Sequence, residues 1–233
     1  MPVKALLFDI GGTVFDWYGT VTRDLAAHGV REARAADAIA LAWRRRMFAV
    51  LDEVRAGRRA WMNADAMHRI ALDEIAADHP ALAALDAGAR DALVGAWRRL
   101  APWPDAPAAI ARMRRRHTVV VLTVLSWVSA VASSKAAGID WDGVLSCELL
   151  GHYKPDAEAY RAGARLLDLA PAEAMMVAAH AGDLHAAAAA GLKTAFVARP
   201  GESGPEVADA LGPYPEFDLS APDFADLAER LGA

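Results

Sequence analysis

Val3-Lys4-Ala5-Leu6-Leu7-Phe8-Asp9-Ile10-Gly11-Gly12-Thr13 runs almost unbroken through apolar side chains, presents one carboxylate, and stops on two glycines. A continuous apolar run closed in this way is how a central strand of a parallel sheet ends, because both faces of such a strand are covered. Asp9 therefore stands at the carboxyl end of a first strand, on a turn whose backbone N–H groups are suited to an anion. An aspartate in that place also serves simply to cap a turn, so the rest of the chain has to decide between the two readings.

Working outward, similar short apolar runs recur at Thr118–Leu122, Val144–Cys147, Ala174–Ala178 and Thr194–Val197. Segments with helical periodicity lie between them, at 105–116, 126–137, 155–167 and 183–190. Alternation of strand and helix predicts repeated βαβ units, hence an α/β fold with a doubly wound, Rossmann-like parallel sheet. The alanine run 186–190 predicts a slim helix lying close to that sheet, with Gly191 beyond its C-terminus.

Residues 17–98 break the alternation. They carry four helical stretches, near 18–29, 35–56, 63–78 and 88–98, with no strand pattern between them. The expected organisation is a core domain of residues 1–16 and 99–233 and a small helical domain, 17–98, inserted after strand one. The return passes through Pro102-Trp103-Pro104-Asp105, where the prolines stop a helix and Asp105 is placed to cap the next.

Composition limits the functional classes. With 55% hydrophobic and 24% charged residues the chain reads as globular, and no apolar run approaches the ~20 residues of a membrane span. The N-terminus lacks the features of a signal peptide, so a cytoplasmic location is expected. A net charge of −5 argues against nucleic acid as a partner, and the run Arg112, Arg114, Arg115 and Arg116 reads as a solvated helix face. Cys147 is the sole cysteine and reads as a buried structural thiol.

In open α/β sheets ligands bind beyond the carboxyl ends of the strands. The polar residues predicted there are Asp9 with Thr13, then Thr123, then Lys154 just ahead of Pro155, and finally Asp183. Lys154 is one of only four lysines in an arginine-rich chain, which favours a placed ammonium; Asp183 alone reads equally as an N-cap.

These residues carry a family resemblance. Phe8-Asp9-Ile10-Gly11-Gly12-Thr13-Val14-Phe15-Asp16, Thr123, Tyr153-Lys154-Pro155-Asp156 and Met176-Val177-Ala178-Ala179-His180-Ala181-Gly182-Asp183 resemble, in order, the four motifs of the haloacid dehalogenase superfamily. The helical insertion is similar to its small cap domain. The superfamily's Mg²⁺-dependent phosphatases resemble Asp-x-Asp at the first motif and carry a further carboxylate in the fourth, whereas this chain has Gly11 and Ala178 there. Without those ligands and that general acid, phosphoryl transfer loses its charge neutralisation. A Schiff-base lysine of the phosphonate-cleaving type is excluded, since no lysine lies between Lys4 and Lys135.

The resemblance then implies the (S)-2-haloacid dehalogenase branch: Asp9 displaces halide from a small 2-haloalkanoic acid, and water hydrolyses the resulting ester to the 2-hydroxy acid, with no cofactor and no metal. It implies that Thr13 and Lys154 orient Asp9 and that Asp183 helps to activate water. Thr123 would bind the substrate carboxylate and Arg44, in Trp43-Arg44-Arg45-Arg46, would accept the halide. Ile10, Gly11, Phe48, Val124, Tyr160 and His180 fall at further substrate-binding positions. A homodimer is implied too. Several positions depart from the branch: Val124 stands where an asparagine is normal, Gly11 where a Tyr or Phe is normal, and His180 where an asparagine is normal. Loss of such donors weakens selectivity for a polar substrate, which keeps two alternatives open: a phosphatase acting on a small phosphate ester, and a non-catalytic carboxylate-binding protein.

Overall fold

The computed structural model describes residues 2–204, 207, 212 and 214–233. In chain order its elements are β1 (Ala5–Phe8), β2 (Phe15–Asp16), α1 (Trp17–Ala27), α2 (Ala33–Arg55), α3 (Ala64–Ile75), α4 (Pro80–Ala83), α5 (Ala87–Val94), β3 (Ala101–Pro102), α6 (Ala106–Met113), β4 (Thr118–Thr123) and α7 (Trp127–Ala136). There follow β5 (Gly143–Ser146), α8 (Cys147–Leu150), α9 (Ala157–Leu166), β6 (Ala174–Ala178), α10 (Ala181–Ala189), β7 (Lys193–Val197), β8 (Leu219–Ala221) and α11 (Phe224–Arg230).

Six strands form one parallel sheet in the order β5-β4-β1-β6-β7-β8, flanked by helices. The first strand is central because its four residues are wholly apolar and wholly buried, so it can be covered on both faces. Its last residue, Phe8, pairs with Val121 of β4 on one side and Val177 of β6 on the other. Chain order reverses about β1, and Asp9 emerges one residue beyond both ladders, at the topological switch point where such sheets bind ligands.

The structure moves some predicted boundaries. Cys147 is buried as expected but opens the short helix α8, since Ser146 already completes the ladder with Thr123. Asp105 precedes α6 without capping it; both its oxygens accept from Arg199, at 2.9 Å each, and one also accepts the Phe224 N–H. The helix expected from Asp183 starts two residues earlier, so Asp183 lies inside the first turn of α10 and His180 takes the N-cap position. The strand β8 and helix α11 had no strong periodic signal and extend the sheet past β7. Gly191 lies just past α10 with φ +97°, the left-handed geometry that glycine supplies without strain.

The inserted helices share an aromatic core. Trp97 stacks on Trp17 and on His68, with ring centroids 6.2 and 3.8 Å apart, and meets Trp43 edge to face at 5.7 Å. The inserted segment leaves and rejoins the core through the antiparallel β2–β3 pair, where Phe15 faces Pro102 and Asp16 faces Ala101. Asp65 of α3 accepts from Ser126 and Ser129 at the start of α7, and Arg55 pairs with Asp156. Of the arginine run only Arg112 lies in α6, half-buried on the Ala233 carbonyl; Arg114, Arg115 and Arg116 fall in the turn that follows, where Arg114 pairs with Asp142 and the other two are exposed. No helix among the described residues is long and apolar enough to cross a membrane.

Candidate active site

The turn after β1 is built to hold one carboxylate still. The N–H groups of Val14 and Phe15 both donate to the Ile10 carbonyl, at 3.1 and 2.9 Å, and that of Gly12 donates to Phe15. Three turn amides are thus used within the turn itself, so side chains rather than these amides supply most of the local donors. Trp103 Nε1 and Arg199 Nε tie the carbonyls of Gly12 and Thr13 from outside, at 2.7 Å each.

Asp9 is nearly buried, and each of its oxygens has its own partners. Lys154 Nζ donates to Oδ1 at 2.9 Å; Thr13 Oγ1 donates to Oδ2 at 2.8 Å while accepting the Ala179 N–H at 3.0 Å. His180 Nδ1 lies 3.3 Å from Oδ2. Burial on its own would raise the Asp9 pKa, but Lys154 and then His180 outweigh it and hold the carboxyl below its usual range. The group is ionised at every physiological pH, as a nucleophile must be.

Lys154 also donates to Asp183 Oδ2 at 2.8 Å, and Tyr160 donates to Asp183 Oδ1 at 2.5 Å. Two carboxylates outweigh the penalty of burying the ammonium and push the Lys154 pKa upward. Asp9, Lys154 and Asp183 follow β1, β5 and β6 in the chain, and the sheet order β5-β4-β1-β6 brings them into contact.

Above Asp9 lies a cleft of about 460 Å³. Asp9, Gly11, Thr123, Val124, Lys154, His180 and Asp183 form its floor. Arg44, Phe48, Met47, Leu51 and Trp97 cover it from the inserted helices, with Leu125 completing an apolar wall. Gly11 and Val124 therefore reach the cleft, as expected, and so do Arg44 and Phe48. Thr123 lines it with Oγ1 accepting the Leu125 N–H at 3.1 Å. Ile10 and Tyr160, expected at substrate-binding positions, are fully buried and are not among the residues lining the cleft. Ile10 anchors the turn through its carbonyl, and the Tyr160 hydroxyl is committed to Asp183.

One residue escaped the sequence reading. Glu202, in the loop after β7, accepts from His180 Nε2 at 2.8 Å, from Trp17 Nε1 at 3.1 Å and from Arg44 at 3.3 Å. Its burial would raise its pKa, but His180 above all, then Arg44, keeps it lowered and charged. His180, between Glu202 and Asp9, is drained by burial yet raised overall to about 10 by Glu202 first and Asp9 second. Arg44 lies over the Trp17 ring at 4.4 Å and near Phe48 at 5.2 Å. Its pKa is lowered by burial, against Glu202 and Asp9. The signal that could have found Glu202 was the rule that found Asp9: Arg199-Pro200-Gly201-Glu202 is a glycine-containing loop at the carboxyl end of a core strand.

The site therefore sets three carboxylates, Asp9, Asp183 and Glu202, against three cations, Lys154, His180 and Arg44. A divalent ion does not fit this donor set. Asp9 and Asp183 converge on the Lys154 ammonium, Gly11 and Ala178 offer no side-chain oxygen, and among the described residues no cluster of three or more acidic, His or Cys side chains could hold a metal. Gly11 supplies no acid at the position from which a phosphatase of this type protonates its leaving oxygen.

Residues 3–191 match the family model described as haloacid dehalogenase-like hydrolase. The chain is 28% identical over 225 residues to the (S)-2-haloacid dehalogenase of Pseudomonas sp. (strain YL), covering 94% of this chain and 91% of that protein. Among solved structures it is similar to the L-2-haloacid dehalogenase PA0810, at 36% identity and a TM-score of 0.90 over 98% of this chain and 99% of that one. It is also similar to the defluorinating L-2-haloacid dehalogenase Rha0230, at 37% identity and a TM-score of 0.91 over 99% and 96%. A buried carboxylate at the switch point of a parallel sheet, beneath helices inserted just after it, agrees with these matches, and the chain belongs to the haloacid dehalogenase-like hydrolases.

Proposed function

We propose that this protein is a metal-independent dehalogenase of small 2-haloalkanoic acids with the S configuration. The observation that carries the reading is the state of Asp9: a carboxylate kept ionised by Lys154, Thr13 and His180, opening onto an apolar cleft, with glycine where a phosphatase needs an acid. Such a group attacks carbon. Oδ of Asp9 forms a bond to C2 of the substrate as the carbon–halogen bond breaks, and halide leaves with the electron pair. Preorganised cations then hold the developing anion without reorganising. Arg44 and Thr123, which both line the cleft, are assigned to the halide and to the substrate carboxylate, as the motif resemblance implies. Water then cleaves the Asp9 ester and releases the 2-hydroxy acid.

Halide release is to be measured from (S)-2-chloropropionate, bromoacetate and fluoroacetate, with and without EDTA, beside an aryl phosphate with Mg²⁺. The expected result is halide release indifferent to EDTA and absent in Asp9→Asn. Phosphate release that requires Mg²⁺ would overturn the reading. In a single turnover in ¹⁸O water the label is expected to enter the Asp9 carboxylate first. A homodimer is proposed on the same resemblance, and light scattering at micromolar concentration checks it.

A further inference from the structure

We propose that His180 is the base that takes a proton from the water hydrolysing the Asp9 ester, and that Glu202 is the residue that positions it. The proposal rests on the dehalogenase reading above, since it concerns the second half of that reaction.

The geometry is that of a carboxylate, an imidazole and a reacting group in line. Nε2 of His180 is 2.8 Å from Glu202 Oε1, and Nδ1, on the far side of the ring, is 3.3 Å from Asp9 Oδ2. A carboxylate held on one ring nitrogen fixes the tautomer and leaves the other nitrogen directed at the chemistry. Glu202 is itself fixed by Trp17 and Arg44. Room for the pair comes from Gly12: a Cβ there would lie 2.0 Å from Glu202 Oε1 and 3.2 Å from His180 Cε1. Asp183, the other carboxylate near the nucleophile, is less suited to the task. One of its oxygens accepts from Lys154 and the other from Tyr160, so each is already engaged by a donor. The His180 side chain keeps one third of its surface exposed, on the floor of the cleft, where water can reach it.

The cycle balances. In the resting enzyme His180 is an imidazolium between two carboxylates. Esterification of Asp9 removes one of these charges, and the Nδ1 proton passes to solvent through the cleft. Water then gives a proton to Nδ1 as its oxygen bonds to Cγ of Asp9. The tetrahedral centre collapses with cleavage of the bond from Cγ to the substrate oxygen, which takes the proton from Nδ1 and leaves as the 2-hydroxy acid. The remaining carboxyl proton passes from Asp9 to Nδ1, restoring the ion pair. One substrate and one water yield hydroxy acid, halide and the proton already released.

Groups facing His180 are Asp9 from the end of β1 and Glu202 from the loop after β7. Arg44 of α2 is held on Glu202, while Lys154 and Asp183 lie on the other side of Asp9. With Asp9 esterified, Glu202 is the anion that sustains the basicity of His180. Removing its charge should therefore move the rising limb of ester hydrolysis to lower pH.

The test is rapid-quench reaction of the wild type, His180→Ala and Glu202→Gln with (S)-2-chloropropionate, following halide, lactate and the intact protein mass. In His180→Ala we expect halide equal to one per site, a persistent adduct on Asp9, and lactate formation slowed by ~10² or more; added imidazole should speed adduct hydrolysis without changing the halide step. In Glu202→Gln the adduct should also accumulate, with its pH profile displaced downward. An adduct that hydrolyses in His180→Ala at the wild-type rate overturns the assignment of the base. An unmoved rate and profile in Glu202→Gln overturns the positioning role. Absence of halide and of adduct from the wild type overturns the dehalogenase reading instead, so the two failures are distinct.

Discussion

Lys154 and Asp9, 145 residues apart in the chain, meet at 2.9 Å, Nζ on Oδ1, with both side chains almost closed to solvent. Each offsets the cost of burying the other's charge. In Lys154→Met two buried carboxylates lose their shared cation, and breaking a buried pair by removing one partner costs about 3–5 kcal/mol. We expect a loss of that size in urea unfolding at pH 7, together with loss of halide release. The native pKa of Asp9 is depressed, so its contribution to stability is present above the unfolded carboxylate value of ~3.9 and is lost as pH falls through the lower native value. The deficit of Lys154→Met should accordingly narrow as pH falls toward 3, because protonation relieves the unpaired charge in the variant. A deficit independent of pH would show that the pair is not the cause.

His180 has the opposite sign. Its native pKa is raised to about 10, so its stabilising contribution is full below ~6.5 and is lost as pH rises through about 10. The unfolding free energy of the wild type relative to His180→Asn should shrink between pH 6 and pH 10.5. A difference that stays constant over that range would mean that His180 is not held protonated by Asp9 and Glu202.

His68 predicts acid sensitivity in the inserted helices. It is fully buried on Trp97, neither ring nitrogen has a hydrogen-bond partner within the protein, and burial above all lowers its pKa to about 3. Between pH 6.5 and 3 the unfolded chain binds a proton at this position that the native state refuses, so stability falls with pH by at most about 1.4 kcal/mol per unit. His68→Phe keeps an aromatic ring against Trp97 and should flatten this slope. Equal slopes in the two proteins, measured by urea unfolding at pH 4, 5 and 6, would refute it.

Arg199 links the turn after Asp9 to the far edge of the sheet. It donates to the Thr13 carbonyl and to both oxygens of Asp105, with its guanidinium 4.2 Å from the centre of the Phe224 ring. Asp105→Ala leaves a buried guanidinium without its carboxylate and should cost ~3 kcal/mol. If α6 capping were the role of Asp105, Asp105→Ser would restore stability. Since the pairing is with Arg199, Asp105→Ser is expected to remain close to Asp105→Ala in thermal unfolding.

The sequence by itself determined the sheet and the place of Asp9 on it. Apolar runs of four to six residues and helical periodicity are local properties, so β1, β4, β6 and β7 and their helices were legible, and so was Asp9 at a strand end. Weakly periodic pieces, β8 and α11, were not. The pairing of Glu202 with His180, that of Asp105 with Arg199, and that of Tyr160 with Asp183 were decided only by the tertiary structure. Each of these depends on which loops a parallel sheet brings side by side, and an ion pair or hydrogen bond between residues 22, 23 or 94 positions apart leaves no periodic trace in the chain. Charge complementarity acts over a few ångströms in space, and folding alone sets that distance.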